Sequence, residues 1–185
     1  MRGLANPPLD EIGVAEAERM AAALAPVAPV HVYSSPLDRA MHTARIVAAA
    51  AGAPQSADER FNDRDYGPWT GHLRSEVIAQ WGSVDAAPGV EPVERVLERA
   101  LPALDAVLNA AVEAMLIAAA GSVPDASGRV SVVVVTHDAV IGPLIRAIDP
   151  TQTHLTTPTA SWNELVRTDG VWSVLSTDQV APDAV

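Results

Sequence analysis

The chain has 185 residues, 49% of them hydrophobic and 19% charged, which suits one globular core, and the expectation is a single domain over residues 1–185. A net charge of −11 excludes a basic nucleic-acid surface, and the lack of cysteine excludes disulfides, thiolate nucleophiles and cysteine metal sites. No apolar run reads as a membrane span and no signal-peptide pattern follows Met1, so the expectation is a cytoplasmic protein with neither nucleic-acid nor membrane partners. All twelve basic residues are arginine, so every cationic side chain is a guanidinium or a histidine.

In chain order, Asp10 opens a helical pattern to about Ala25, ended by Pro26 and Pro29. Val30–Ser34 reads as a short buried strand. A helix from Pro36 to about Ala51 follows, with Ser35 and Asp38 as a capping pair and Gly52 as its stop. Glu59–Phe61 is expected to be a brief strand, and Asn62–Gly71 an irregular stretch of the kind that often holds sites. A short helix is expected at about Arg74–Trp81. A long helical pattern covers Glu91–Ala120, broken or kinked at Pro102. Gly121–Gly128 reads as a surface linker. Val130–Thr136 carries four consecutive valines, as in a parallel strand buried on both faces. Asp138–Ile148 is apolar at helical spacing. Trp162–Thr168 and Val171–Thr177 flank Asp169-Gly170, a hairpin signal. Strands alternating with helices imply a layered α/β sheet.

In such sheets anions collect where strands end and helices begin, because free backbone N–H groups and the helix dipole favour them. Two segments fit that position. Ser34–Ala44 puts Arg39 in the first turn of a helix, and Thr136-His137-Asp138 puts His137 at the carboxyl end of the valine strand. The loop Asn62–Gly71 adds Asp63 as a candidate general acid. A guanidinium fork, an imidazole and a carboxyl group are the parts phosphoryl transfer needs when positioning and charge stabilisation dominate. His42 lies one helical turn from Arg39 and is a candidate for the pocket mouth. His31, His72 and His154 read as structural or solvated, and no His/Asp/Glu spacing suggests a metal.

Ser-Ser-Pro-Leu-x-Arg-Ala-x-x-Thr-Ala at 34–44 resembles a phosphate-binding segment of the histidine phosphatase (phosphoglycerate mutase-like) superfamily. Three further stretches resemble the same family in the same order. These are Gly3-x-x-Asn6-x-Pro8-Leu9-x-x-x-Gly13, Asp63-x-x-Tyr66-Gly67-x-Trp69-x-Gly71 and Val134-Val135-Thr136-His137-Asp138. The resemblance implies a three-layer α/β/α sandwich with a mostly parallel sheet and a C-terminal antiparallel hairpin. It implies Arg39 as phosphate ligand, His137 as the second active-site histidine and Asp63 as proton donor, with Asn6 on the substrate side, where helical spacing also puts His42. Asp138 stands where the family has glycine.

The resemblance also implies catalysis through a phosphohistidine, on a small phosphorylated metabolite and with no cofactor. The family's nucleophile lies in an Arg-His-Gly motif ending a first strand, and this chain contains no Arg-His-Gly. The expectation is therefore a phosphatase whose first strand is missing here and whose chain as written is inactive. A mutase and a non-catalytic phospho-ligand binder stay open as alternatives. The absent strand would lie between the valine strand and the hairpin, so ladder bonds directly joining Val132–Val135 to Trp162–Val166 would contradict this reading.

Overall fold

The computed structural model describes residues 1–118 and 129–182. Helix α1 (Glu11–Leu24) starts where the Asp10 carboxylate accepts the Gly13 N–H, a side-chain cap for a free backbone donor. A short 3₁₀ turn through Pro26 leads into β1 (His31–Ser34), and α2 (Asp38–Ala51) ends at Gly52, whose φ of 66° is the left-handed stop expected there. Strand β2 is Gln55–Ala57.

The expected strand at Glu59–Phe61 is corrected to a 3₁₀ turn. Asp58 causes it, since its Oδ1 accepts the Arg60 N–H at 2.9 Å and offers the backbone a local alternative to a ladder. Helix α3 (Arg74–Trp81) lies where the sequence puts it. Helix α4 (Val93–Ala118) runs through Pro102, so of the expected break or kink the break does not occur. Packing outweighs the lost hydrogen bond there, because Ala100, Ala103 and Leu104 around the proline are all buried in the core. By length and mean hydropathy (1.6) Val93–Ile117 would suffice to cross a membrane, which corrects the expectation that no such run exists. The helix instead carries Val96, Ala100, Ala103, Val107 and Ala111 into the protein core. The linker expected at residues 121–128 lies outside the described residues.

Strand β3 (Val132–Val135) pairs parallel with β1, which pairs parallel with β2 on its other side. Helix α5 (Asp138–Ile148) follows, and β4 (Trp162–Thr168) and β5 (Val171–Gln179) form an antiparallel hairpin. Its two-residue turn needs positive φ at both positions, and Asp169 (52°) and Gly170 (82°) supply them.

The period-2 alternation of the strands sorts side chains onto two faces. Tyr33, Val132 and Val134 pack with Phe61 and helices α4 and α5. Val32, Val133 and Val135 face the other way, onto Met20, Leu24, Ala44 and Val47 of α1 and α2. Leu165 and Trp172 of the hairpin join the first cluster and Trp162 joins the second, so the hairpin lies between the same two helical layers. This is the expected α/β/α sandwich. No ladder joins β3 to β4 among the described residues. The valines of β3, expected to be fully buried, are only half-buried, since one edge of their strand has no partner among the described residues.

Phe61 is fully enclosed between the sheet, α4 and α5, and it anchors the loop that begins at Asn62. Phe61→Ala is expected to cost about 3–5 kcal/mol of stability, read as a lower urea midpoint; a loss below about 1 kcal/mol would contradict this packing.

Candidate functional site

The parallel ladder brings the carboxyl ends of β1 and β3 side by side, with Ser34 paired to Val135. The Ser35 N–H continues the ladder by donating to Val135 at 2.9 Å. From these adjacent ends the chain enters α2 and α5. Arg39 in the first turn of α2 and His137 just before α5 are thereby placed on one rim, both buried.

Asp63 reaches the same rim from the loop after Phe61. Its Oδ2 accepts from Arg39 Nη2 at 2.9 Å, and its Oδ1 accepts the Arg64 N–H at 2.8 Å. Both side chains of the ion pair are about nine-tenths buried. Arg39 also donates through Nη1 to the Ala5 carbonyl at 2.8 Å and through Nη2 to the Gly3 carbonyl at 3.0 Å. A guanidinium has five N–H donors, so these three bonds leave two without a partner among the described residues.

Burial pushes the Asp63 carboxyl up to about 6, against the opposing pull of the Arg64 N–H and of Arg39. Burial also lowers His137, to about 3, and the charges of Arg39 and Arg99 add to the effect. His137 Nδ1 lies 3.8 Å from Asp63 Oδ2, which is too long for a hydrogen bond. With the imidazole neutral near pH 7, that contact is not an ion pair either. Among the described residues His137 Nε2 is buried with no hydrogen-bond partner, and so is Ser34 Oγ. Orphaned polar atoms of this kind are rare in folded proteins and call for an explanation.

Three of the residues read from the sequence thus meet, namely Arg39, Asp63 and His137. Asn6 does not join them. It is exposed, and its Oδ1 accepts the Asp38 N–H at 2.7 Å, capping α2 across 32 residues of chain. That overturns the expected Ser35/Asp38 cap. Ser35 Oγ instead accepts from the Leu37 N–H and donates to Asn62 Oδ1. His42 is half-buried one turn beyond Arg39, and no hydrogen bond ties its ring to Arg39, Asp63 or His137. An open depression of about 560 Å³ borders Asp63 and Asn62 but touches neither Arg39 nor His137, so it is not where those two groups converge.

Sequence reasoning missed the residues that hold this loop. Thr136 Oγ1 donates to the Phe61 carbonyl at 2.7 Å. Arg99 of α4 donates to the carbonyls of Arg60, Asn62 and Asp63, and Glu91 grips Arg99 in turn. Thr136 could have been noticed as the neighbour of His137. Arg99 has no local signal, because it acts across more than 30 residues.

The profile of the histidine phosphatase superfamily (branch 1) matches residues 1–179. A 2,3-bisphosphoglycerate-dependent phosphoglycerate mutase from Rhizobium etli is 35% identical over 85 residues, which is 43% of this chain and 40% of that protein. The enzyme of the same name from Methylocella silvestris is 33% identical over 127 residues, covering 58% of this chain and 62% of that one. The matches thus span roughly half the length of these curated relatives. The crystal structure of phosphoglycerate mutase from Bacillus anthracis superposes with a TM-score of 0.81 at 23% identity, over 96% of this chain and 85% of that chain. A mycobacterial glucosyl-3-phosphoglycerate phosphatase in complex with inorganic phosphate gives 0.73 at 23%, over 98% and 92%. At these identities the superpositions establish the fold.

The two shifted groups act oppositely on stability. Asp63 titrates near 6 when folded and near 3.8 when unfolded, so between those values the folded state holds an extra proton and acidification stabilises it. His137 titrates near 3 folded and near 6.5 unfolded, so there the unfolded state holds the extra proton and acidification destabilises. Between pH 6 and 4.5 the two nearly cancel. His137→Gln removes only the second, so the variant should gain stability relative to wild type on acidification, at up to about 1.4 kcal/mol per pH unit. Urea titrations at several pH values check this, and parallel curves for the two proteins would contradict it.

Proposed function

The chain belongs to the histidine phosphatase superfamily (branch 1), and from that premise we propose that the complete protein transfers phosphoryl groups through a phosphohistidine and hydrolyses a small phosphomonoester. The observation that carries this reading is the buried, unpartnered Nε2 of His137 beside the Arg39–Asp63 pair, at the carboxyl ends of two parallel strands. A phosphoryl group is an acceptor-rich anion of the size and charge to engage that nitrogen and the two unpaired N–H groups of Arg39.

In this reading Arg39 holds the spread charge of the phosphoryl oxygens. His137, a neutral imidazole, donates from Nε2 to an oxygen as charge develops, which stabilises the transition state more than the bound substrate. Asp63 protonates the leaving oxygen. A carboxyl titrating near 6 suits that task, since a useful fraction is protonated near neutral pH and its conjugate base is weak enough to release the proton readily. The step uses neither metal nor nucleotide, as the resemblance implies. It does require a phosphate-accepting histidine. The chain contains no Arg-His-Gly, and none of the other four histidines has a hydrogen bond or ion pair to Arg39 or Asp63 among the described residues. The chain as given is therefore proposed to bind phosphate esters without turning them over.

A second reading is phosphoglycerate mutase activity, favoured by the names of the curated relatives.

The test is an assay of the protein with whatever in-frame sequence its gene supplies before Met1, using alkyl phosphates, nitrophenyl phosphate and phosphoglycerates. Release of inorganic phosphate supports the phosphatase, isomerisation of phosphoglycerates supports the mutase, and binding without turnover supports a phospho-ligand-binding module. Asp63→Asn should lose on the order of 10²-fold or more on alkyl phosphates. It should lose far less on nitrophenyl phosphate, whose leaving group departs without a proton. Equal losses on both would remove Asp63 from the role of acid.

A further inference from the structure

We propose that Arg99, held by Glu91, is the positioning residue of the candidate acid: its guanidinium fixes the main chain of residues 60–63 and thereby sets the Asp63 carboxyl against Arg39 and beside His137. The proposal rests on the reading of Asp63 as the proton donor and adds the device that holds it in place.

Residues 60–63 have no regular structure beyond the 3₁₀ turn ending at Phe61, so their carbonyls must find partners elsewhere. Arg99 supplies most of them. Nη1 donates to the carbonyls of Arg60 at 2.9 Å and Asn62 at 2.7 Å, and Nη2 donates to that of Asp63 at 3.1 Å. Thr136 takes the intervening carbonyl of Phe61, so four consecutive carbonyls are held by side chains of α4 and of the segment after β3. Neither donor belongs to the loop itself.

Arg99 is in turn fixed. Glu91 receives Nε at 3.1 Å and Nη2 at 3.2 Å, a two-pronged contact that orients the guanidinium plane. Glu91 also ties down the far end of the loop. Its Oε2 accepts the Asp65 N–H, its own N–H donates to the Asp65 carbonyl at 2.7 Å, and its carbonyl accepts Arg64 Nε at 2.6 Å. Glu91 and Arg99 therefore bracket Asp63 on both sides along the chain. Lysine could keep the charge of Arg99, but a single ammonium could not serve three carbonyls and two carboxylate oxygens in one plane.

The brace should be visible in the ionisation of Asp63. The charged and titratable groups facing Asp63 are Arg39 from α2, Arg64 and Tyr66 within the loop, and His137 and Asp138 at the start of α5, and none of them is removed by changing Arg99. His137 feels the Arg99 charge directly. Fork and charge can therefore be separated.

The experiment is an NMR titration of the Asp63 carboxyl and the His137 ring in the chain itself, comparing wild type with Arg99→Lys, Arg99→Gln and Glu91→Gln. In Arg99→Gln, loss of the fork should admit water and lower the Asp63 midpoint by about one unit or more, while loss of the charge raises that of His137. In Arg99→Lys the His137 midpoint should stay low while Asp63 falls as it does with glutamine. Glu91→Gln, which keeps the shape of the contact, should give a smaller fall at Asp63. If Arg99→Gln does not fold, the other two variants decide. An Asp63 midpoint unchanged in Arg99→Lys and Glu91→Gln would overturn the proposal. A wild-type chain that binds no inorganic phosphate would sink the functional reading instead, and the titration of Asp63 would still judge the role of Arg99.

Discussion

The buried pair between Arg39 and Asp63 is the constraint on which the rest of the site depends. Taking two charges out of water is costly, and their attraction repays the cost only when the remaining donors and acceptors are also satisfied. Here Arg39 places three of its five N–H groups, two on backbone carbonyls and one on the carboxylate, while Asp63 receives one backbone N–H. The balance is uneven. Desolvation outweighs the stabilising contacts at Asp63, so the carboxyl ends near 6 rather than below its ordinary range. A pair built only for stability would have driven that value down.

The fold makes this arrangement possible by convergence. Two parallel strands end together, a helix begins after each, and the third residue arrives on a loop that neither strand organises. The rim itself was legible in the sequence, because Ser34–Arg39 and Val132–His137 each join a β-branched run to a helical pattern. The ends of α3, α5 and the hairpin turn were legible for the same reason, since periodicity and Asp-Gly are local signals.

What was not legible depends on contacts between distant parts of the chain. Asn6 caps α2 from 32 residues away, where the sequence offered Ser35 as a nearer acceptor. Arg99 reads as one more charged residue on an amphipathic helix, and only the fold brings it to the carbonyls of residues 60–63. Pro102 carries a strong local signal that burial of Ala100, Ala103 and Leu104 overrides. Glu59–Phe61 failed for a local reason, since Asp58 caps a turn that its neighbours' β-propensity conceals.

The central claim is that Arg39, His137 and Asp63 form one anion site whose charge is controlled by Asp63. Sulfate tests it most directly, because its own charge stays fixed across the range in which Asp63 titrates. Calorimetric titration of the chain with sulfate should show affinity rising as pH falls from 7 to 5, as protonation of Asp63 removes a negative charge from the site, and Arg39→Ala should abolish the binding. Affinity that is independent of pH, or binding that survives Arg39→Ala, would contradict the account.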